Sequence, residues 1–440
     1  MTDHTPLTDT QIFSQKLGRY QVVRELGKGA TSAVYLAEDD FAQRQVAIKV
    51  AFPGALKGGD DSAAFRNMFL TEASLAGRLV HPHIAAIYDA EIEERSSYIV
   101  MEYVGGGTLE QFCHPDNLLK PRDVSEIIFK CVRALGYAFE NGLIHRDIKP
   151  GNILYAGGTD IKISDFGAAM DRMSDRTIVA AIGSPIYMAP ELIVGSGLAS
   201  HQSDIYALGV VMYYLLSGRL PYAAGNVASL SYQIVNVDPD PLETLRPYLP
   251  LQLVAIVKRA MAKEVAKRYQ TWEEFGQDLE AAWNEEDKRT EAGEVHSETK
   301  RFTLLKSMPF FRDFPEKELW EVLRISHWRA FPPETVLIKE GDVGESFFIL
   351  AKGSVRITHG QKVINVLYAG DCFGEMSYLA RRNGPRSASV NAMSKVIVMK
   401  IPAQDLRNAS EGCRQQFDRR FLDTLVERLK MANEQLAVAS

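Results

Sequence analysis

An α+β chain of more than one domain is the fold class this sequence predicts, and three observations carry it. Alternating strand-like runs at the start ("YQVVREL", "AVYLAED", "QVAIKVA", "SYIVMEYV") give way between about 123 and 283 to mainly helical periodicity. Residues 284–301, "NEEDKRTEAGEVHSETKR", are charged or polar apart from a single valine and offer no core face. Beyond them the helix-like "PEKELWEVLRISHW" leads into short strands punctuated by glycine, the texture of a small antiparallel barrel or jelly roll, and a last helix closes the chain. The 440 residues are too many for one compact core. They divide into a tail at 1–17, a domain over 18–283, a linker over 284–301, a second domain over 302–432 and a tail at 433–440.

Composition narrows the classes of function. A formal charge of −6 gives no general attraction to nucleic acid or to an anionic membrane surface. The four cysteines (Cys113, Cys131, Cys372, Cys413) are far apart with no CxxC pair, which fits reduced thiols better than a disulfide framework. The longest apolar run, "IYALGVVMYYLL" (205–216), is too short to span a bilayer and predicts a buried core helix. The first residues lack the apolar core of a signal peptide. The expectation is a cytoplasmic protein with neither membrane nor nucleic acid among its partners.

The first strands carry "GKGATSAVYLA" (27–37), whose Gly27 and Gly29 let a backbone approach phosphates closely with N–H groups free to donate. By itself this signal is weak, and a glycine-containing hairpin without a ligand is the better reading. "VAIK" places Lys49 on the next strand, where a lysine could simply reach solvent. "HRDIKPGN" (145–152) is more specific, gathering Arg146, Asp147, Lys149 and Asn152 in one loop. "DFG" follows at 165–167 and "GSPIYMAPE" at 183–191.

In that order and spacing these motifs resemble the protein kinase family, and specifically its bacterial serine/threonine branch, over roughly residues 18–283. The resemblance implies a bilobal kinase fold that uses ATP and Mg²⁺ to phosphorylate protein substrates, a reaction that asks mainly for positioning and charge neutralisation. Gly27, Gly29 and the amides between them would cover the ATP phosphates, with Val34 beside the nucleotide. Lys49 would hold the α- and β-phosphates, fixed by an ion pair with Glu72 in "FLTEASLAGRL". Asp165 would bind Mg²⁺ and Asn152 a second Mg²⁺. Asp147 would orient the attacking hydroxyl or accept its proton, and Lys149 fits kinases that act on serine or threonine. "IVMEYV" would be the hinge, with Met101 as gatekeeper and the adenine bonded to backbone near Glu102 and Val104. Asp204 would anchor the catalytic loop, and Glu191 would pair with Arg268 in a buried bridge.

Two departures qualify the resemblance. Ser32 stands where the phosphate loop has its third glycine, and Ala180 stands three residues before Gly183, where many kinases carry a regulatory threonine. Ser174 and Thr177 remain as regulatory hydroxyls whose phosphates Arg146 could meet; equally, both read as solvated loop residues.

The downstream block carries "FPPETVLIKEGDVGESFFILAKGSVRI" and "FGEMSYLARRNGPRSAS" (373–389). One carboxylate follows a glycine, and an arginine is followed by small hydroxyl residues. Over about 302–432 it resembles the cyclic nucleotide-binding domain family. The resemblance implies a ligand, cAMP or cGMP, held as an effector by Gly374, Glu375, Arg386 and Ser387. Arg386 would meet the cyclic phosphate, helped by a short helix beginning near Glu375, and Glu375 would accept from the ribose hydroxyl. A cassette that has lost its ligand would instead pair Glu375 with Arg386. The gap between those two is longer than in compact family members, which adds Arg381 and Arg382 near the pocket mouth.

Together the blocks suggest a serine/threonine kinase regulated by a cyclic nucleotide. Without ligand, the sensor or linker would occlude the cleft or hold the Glu72 helix away from Lys49. A constitutive kinase whose barrel docks or dimerises, and a non-catalytic nucleotide-responsive scaffold, are the competing readings. Phe417, Phe421, Leu425 and Leu429 form a stripe on the final helix that suits a lid or core face, or the seam of a homodimer.

Overall fold

The computed structural model describes residues 16–29, 31–52, 69–75, 78–92, 97–166, 170–171, 185–195, 199–289, 298–379 and 385–439. The chain forms two compact units, Met1–Thr290 and Glu291–Ser440.

The first unit opens with a six-stranded antiparallel sheet in the order β1-β2-β3-β4-β6-β5, built from β1 (Lys16–Leu17), β2 (Tyr20–Lys28), β3 (Ser32–Asp39), β4 (Arg44–Ala51), β5 (Ile87–Ile92) and β6 (Ser97–Glu102). Strand alternation sends Ile48 and Val46 to one face, with Tyr20, Ala37, Tyr98 and Val100. It sends Ala47 and Ala51 to the other, with Ile99 and Met101, and Phe69 of the helix over 69–74 packs there. Lys49 lies between Ala47 and Ala51 on β4, so the same alternation aims it at that helix. Glu72, three residues after Phe69, lies on the facing side of the helix.

Helices make up most of the rest. Pro121–Glu140 starts on a proline at its first position, where the missing N–H costs nothing. His201–Ser217 contains the apolar run 205–216 and is buried along nearly its whole length, as expected of a core helix. A Cβ on its Gly209 would lie 2.9 Å from Ala260, so the glycine lets the helix Leu251–Ala260 approach. Among the described residues no helix is long and apolar enough to cross a membrane. Two short antiparallel pairs, β7 (Leu143–Ile144) with β10 (Met170–Asp171) and β8 (Ile153–Gly157) with β9 (Asp160–Ile163), frame the loops that carry the candidate catalytic residues.

The second unit is an antiparallel β-sandwich of jelly-roll type with helices before and after it. One sheet runs β11-β18-β13-β16 and the other β12-β17-β14-β15. The strands are β11 (His327–Phe331), β12 (Val336–Ile338), β13 (Ser346–Lys352), β14 (Ser354–His359), β15 (Lys362–Tyr368), β16 (Cys372–Phe373), β17 (Ser389–Ala392) and β18 (Val396–Pro402). Leu350, Val355, Leu367, Phe373, Val390 and Val398 fill the space between the sheets. The closing helix Glu411–Ala439 buries Phe417 and Phe421 completely, against Phe310 and Phe347 among others.

Several boundaries differ from the sequence reading. Lys16–Leu17 already pair with β2 inside the expected tail at 1–17. The helix Trp272–Arg289 enters the charged stretch from one side and Glu298–Ser307 begins within it from the other, while 290–297 lie outside the described residues. The closing helix runs on to Ala439, through most of the stretch 433–440 expected as a tail. Over 284–301 a lack of apolar residues suggests a lack of structure, yet Glu, Lys and Arg are good helix formers. The apolar stripe on the last helix also divides: Phe417 and Phe421 are core, whereas Leu429 is 63% exposed. A four-residue step turns about 40° too far on a helix of 3.6 residues per turn, so the stripe drifts off the buried face.

Burial of one histidine gives the first unit a stability that depends on pH. His81 stacks on Tyr137 at 5.2 Å and accepts from the His83 N–H at 3.2 Å. Burial, with Arg133 and Lys162 nearby, pushes its pKa down to about 3. Below an unfolded value of about 6.5 the unfolded chain takes up a proton that the folded chain refuses, so stability falls with pH from there toward 3. At pH 5 the loss through His81 is about 2 kcal/mol relative to pH 7. Urea midpoints at the two pH values should show it, and His81→Gln should reduce the difference by that amount.

Candidate functional site

The expected nucleotide-side residues fall in one cross-strand row. Gly27 of β2 lies opposite Val34 of β3, and Val34 lies opposite Lys49 of β4. Cross-strand partners share a face, so all three look onto one surface, where Val34 packs with Ala47 and Met101. A Cβ on Gly27 would meet nothing within 4 Å, so neither crowding nor the backbone demands glycine there. The space above the row is open to a ligand that comes close to the backbone. At Gly29 the N–H donates to Ser32 O at 2.8 Å, closing the tip of the hairpin.

Lys49 is gripped by two carboxylates, Glu72 at 2.8 Å and Asp165 at hydrogen-bond contact. Burial disfavours its charge, but the two carboxylates more than offset that and hold the ammonium protonated well above the ordinary lysine range. Burial lifts Glu72 above the usual carboxylate range while Lys49 draws it back. Burial acts likewise on Asp165, but Lys49 outweighs it and holds this carboxylate below its usual value. The three form one charge cluster in which a lysine is positioned and an aspartate stays ionised. Glu102 sits at the end of β6, where its N–H donates to Ala86 O at 2.8 Å and its carboxylate meets Lys162 at 3.0 Å. Val104 follows on the chain just beyond the strand.

The loop between β7 and β8 brings the second group together. Buried Asp204, on the helix His201–Ser217, accepts from the N–H groups of His145 and Arg146, each at 2.8 Å. Those bonds hold the loop through Arg146, which adopts φ 70, a left-handed conformation costly for a side-chain-bearing residue. His145 Nε2 donates to Ser164 O at 3.0 Å, tying this loop to the one that carries Asp165. Asp147 Oδ2 accepts from Lys149 at 2.7 Å and from the Asn152 amide at 3.0 Å. Its Oδ1 has no partner among the described residues and is the atom left for a substrate hydroxyl. Asn152 spends its NH₂ group on Asp147, which leaves its own Oδ1 as an acceptor for a cation.

These donors suit Mg²⁺, which commonly takes only one or two protein oxygens and completes its shell with phosphates and water. Among the described residues no group of three or more His, Cys, Asp or Glu side chains gathers as a metal centre. Asp165 and Asn152 could each offer such an oxygen, the first to one Mg²⁺ and the second to another, with the nucleotide supplying the remainder. Glu191 and Arg268 meet as a bidentate pair at 2.8 and 2.6 Å. Ser174, Thr177 and Ala180, with Gly167 and Gly183, lie outside the described residues.

In the second unit Gly374 takes φ 76 and turns the chain so that Glu375 is buried. Arg386 does not bond Glu375. It donates to the carbonyls of Gly374, at 3.0 Å, and Ser346, and its guanidinium lies on Gly344, where any Cβ would collide with it. Burial lowers the Arg386 pKa and the nearby Glu375 charge raises it. Among the described residues this half-buried cation bonds only to backbone carbonyls, which suits it to an anionic ligand. Ser387 is exposed beside it, and the helix Met376–Leu379 begins after Glu375. Residues 380–384, with Arg381 and Arg382, lie outside the described residues.

The partner of Glu375 is Arg428, on the closing helix, whose Nη1 donates to Oε1 at 2.6 Å. The motifs do not reveal Arg428. It shares one helix face with Phe417, Phe421 and Thr424, at i, i+4, i+7 and i+11, but a polar residue at the end of such a face reads equally as solvated.

Comparison with known proteins agrees with this geometry. The family model described as "Protein kinase domain" matches residues 20–278, more than half of the chain. The chain belongs to the protein kinase family. The model described as "Cyclic nucleotide-binding domain" matches residues 328–412, so this kinase carries such a domain C-terminal to its kinase domain. The kinase is similar to serine/threonine-protein kinase PrkC of Bacillus subtilis, 36% identical over 307 residues, 68% of this chain and 46% of that one. It is also similar to serine/threonine-protein kinase PknB of Mycobacterium leprae, 37% identical over 268 residues, 59% of this chain and 42% of that one. PknB of Mycobacterium tuberculosis is 37% identical over 297 residues, 66% of this chain and 46% of that one. The kinase thus spans less than half the length of these relatives.

Proposed function

We propose that this protein is a serine/threonine protein kinase that transfers the γ-phosphate of ATP to protein hydroxyls, and that a cyclic nucleotide bound in its second unit sets its activity. The observation that carries the catalytic part is the joint placement of Lys49 against Glu72 and Asp165, with Asp147, Lys149 and Asn152 locked together on the adjoining loop. Phosphoryl transfer needs little covalent help and much positioning of charge. Lys49 meets the phosphates of ATP under the Gly27 and Gly29 hairpin. Mg²⁺ at Asp165 and Asn152 neutralises phosphate charge when bound. Asp147 Oδ1 takes the hydroxyl, and Lys149 beside it favours serine and threonine. The names of PrkC and PknB support the same hydroxyl preference.

Regulation rests on Arg386 and Glu375. A half-buried cation beside a buried carboxylate matches a cyclic phosphate next to a free ribose hydroxyl. The alternative, a constitutive kinase whose barrel serves docking, draws support from the Lys49–Glu72 pair, which is already formed at 2.8 Å. Radiolabelled ATP transfer to a generic basic protein distinguishes them, run without nucleotide, with cAMP and with cGMP. We expect transfer that Asp165→Ala abolishes, that one nucleotide changes by about 5- to 150-fold, and that no longer responds in Arg386→Ala. Transfer indifferent to both nucleotides would leave the constitutive reading standing.

A further inference from the structure

We propose that a cavity of about 630 Å³ in the first unit docks an acidic segment of the protein substrate, held by Arg219 and Arg246. The proposal rests on the kinase reading of that unit. Asp116 and Leu118 line the cavity from one loop, Ser217 and Arg219 from the end of the helix His201–Ser217 and just beyond it, and Thr244 and Arg246 from the turn Leu242–Leu245 and its cap. Two guanidinium groups against one carboxylate leave it cationic. Arg246 Nη1 donates to Leu216 O at 3.1 Å, which satisfies a carbonyl in the last turn of that helix and fixes the guanidinium. Its Nε and Nη2 have no hydrogen-bond partner among the described residues, and no hydrogen bond or ion pair there engages the Arg219 side chain. The Arg219 backbone is fixed, because its N–H donates to the buried Ser217 hydroxyl at 3.1 Å. Gly218 between them takes φ 69, and a Cβ on it would lie 2.7 Å from the Pro115 nitrogen. Glycine thus lets the helix end meet the loop backbone to backbone, which makes a rigid frame. Free guanidinium donors on such a frame suit a carboxylate, which accepts from them in a planar, charge-assisted geometry.

Position ties the cavity to the substrate. A Cβ on Gly151, next to Asn152 in the catalytic loop, would lie 2.8 Å from Glu110 Oε1, so the turn Leu109–Phe112 abuts that loop. The chain then runs straight on to Pro115 and the cavity. The helix leads the same way: burial, Cys113 and Glu110 together raise the Tyr214 hydroxyl pKa, and Ser217 follows about one turn later. A substrate whose hydroxyl sits at Asp147 can reach the cavity with roughly four to eight extended residues. Glu110 stands between the two and repels acidic residues close to the hydroxyl, so the acidic segment is read at a distance.

The test is steady-state kinetics of the full-length chain on synthetic serine peptides, with a generic basic protein as control. Each peptide carries a run of glutamates, or of glutamines, at spacings of roughly two to ten residues on either side of the serine. At one spacing the glutamate peptide should show a KM about three- to tenfold lower with kcat unchanged, and added salt should shrink that ratio. Arg219→Gln should bring the ratio close to unity, and Arg219→Glu should transfer the preference to a lysine run at the same spacing. Both variants should melt with the wild type, because Arg219 bonds through its backbone alone. Arg246→Gln, which keeps a donor for Leu216 O, should weaken the preference likewise. A glutamate preference that survives both Arg219 variants would overturn the proposal. So would a fall in kcat on every peptide in Arg219→Gln, which would assign the residue a merely structural role. Transfer to the basic protein with no glutamate preference at any spacing would sink the proposal alone. If the wild type transfers phosphate to neither the peptides nor the basic protein, the kinase reading itself fails and takes the proposal with it.

Discussion

Asp147→Asn should lower the rate of phosphate transfer by about 10²- to 10⁴-fold, the range for losing a positioned proton acceptor, while leaving the KM for ATP nearly unchanged. The substitution keeps the shape of the side chain. An asparagine oxygen can still accept from Lys149 and from the Asn152 amide, now 2.7 and 3.0 Å from Oδ2. What disappears is the second basic oxygen, because an NH₂ group takes its place facing the substrate. The nucleotide side does not feel the change, since Lys49 is held by Glu72 and Asp165 from other elements. Steady-state assays at varied ATP and varied protein substrate separate the two effects. A variant that retains transfer within tenfold of wild type would remove Asp147 from its assigned role. A large rise in ATP KM would show that the loop and the nucleotide side are not independent.

How much of this site could be read beforehand depends on whether a residue acts locally or across the fold. Lys49 was assigned through the family resemblance, since alone a lysine on that strand could simply reach solvent, and Glu72 followed because its helical run offers no other carboxylate. The loop from His145 to Asn152 was legible because its working parts lie within one short stretch. The grip of Asp204 on that loop, and of Arg268 on Glu191, could be read only through family resemblance, since each joins residues more than fifty positions apart. Arg428 escaped altogether. The cassette motif ends long before it, and an arginine on a charged helix reads as solvated. The packing of Arg386 on Gly344 was hidden for the same reason: nothing in the sequence near Gly344 says what will lie against it. The helices that enter 284–301 were not foreseen because periodic burial reports a packed face, not helicity.

Arg268→Met should cost about 3–5 kcal/mol of the first unit's stability, the range for breaking a buried ion pair by removing one partner. The arginine side chain has no exposed surface, and its fork meets both oxygens of Glu191, at 2.8 and 2.6 Å. It also serves the backbone, donating to the carbonyls of Ala262 at 2.6 Å, Gln202 at 3.1 Å and Lys263 at 3.2 Å. Methionine fills much of the volume and satisfies none of these acceptors, so a carboxylate and three carbonyls lose a charged donor together. Replacing both partners, as Arg268→Met with Glu191→Leu, should recover the part of the loss that belongs to the stranded carboxylate. It should not restore wild-type stability, because the three carbonyls remain. Urea unfolding followed at the first unit's transition reads all three variants. A single-variant loss below about 1 kcal/mol would place the pair with weak surface bridges. Full recovery in the double variant would mean that the carbonyls find water once the arginine is gone.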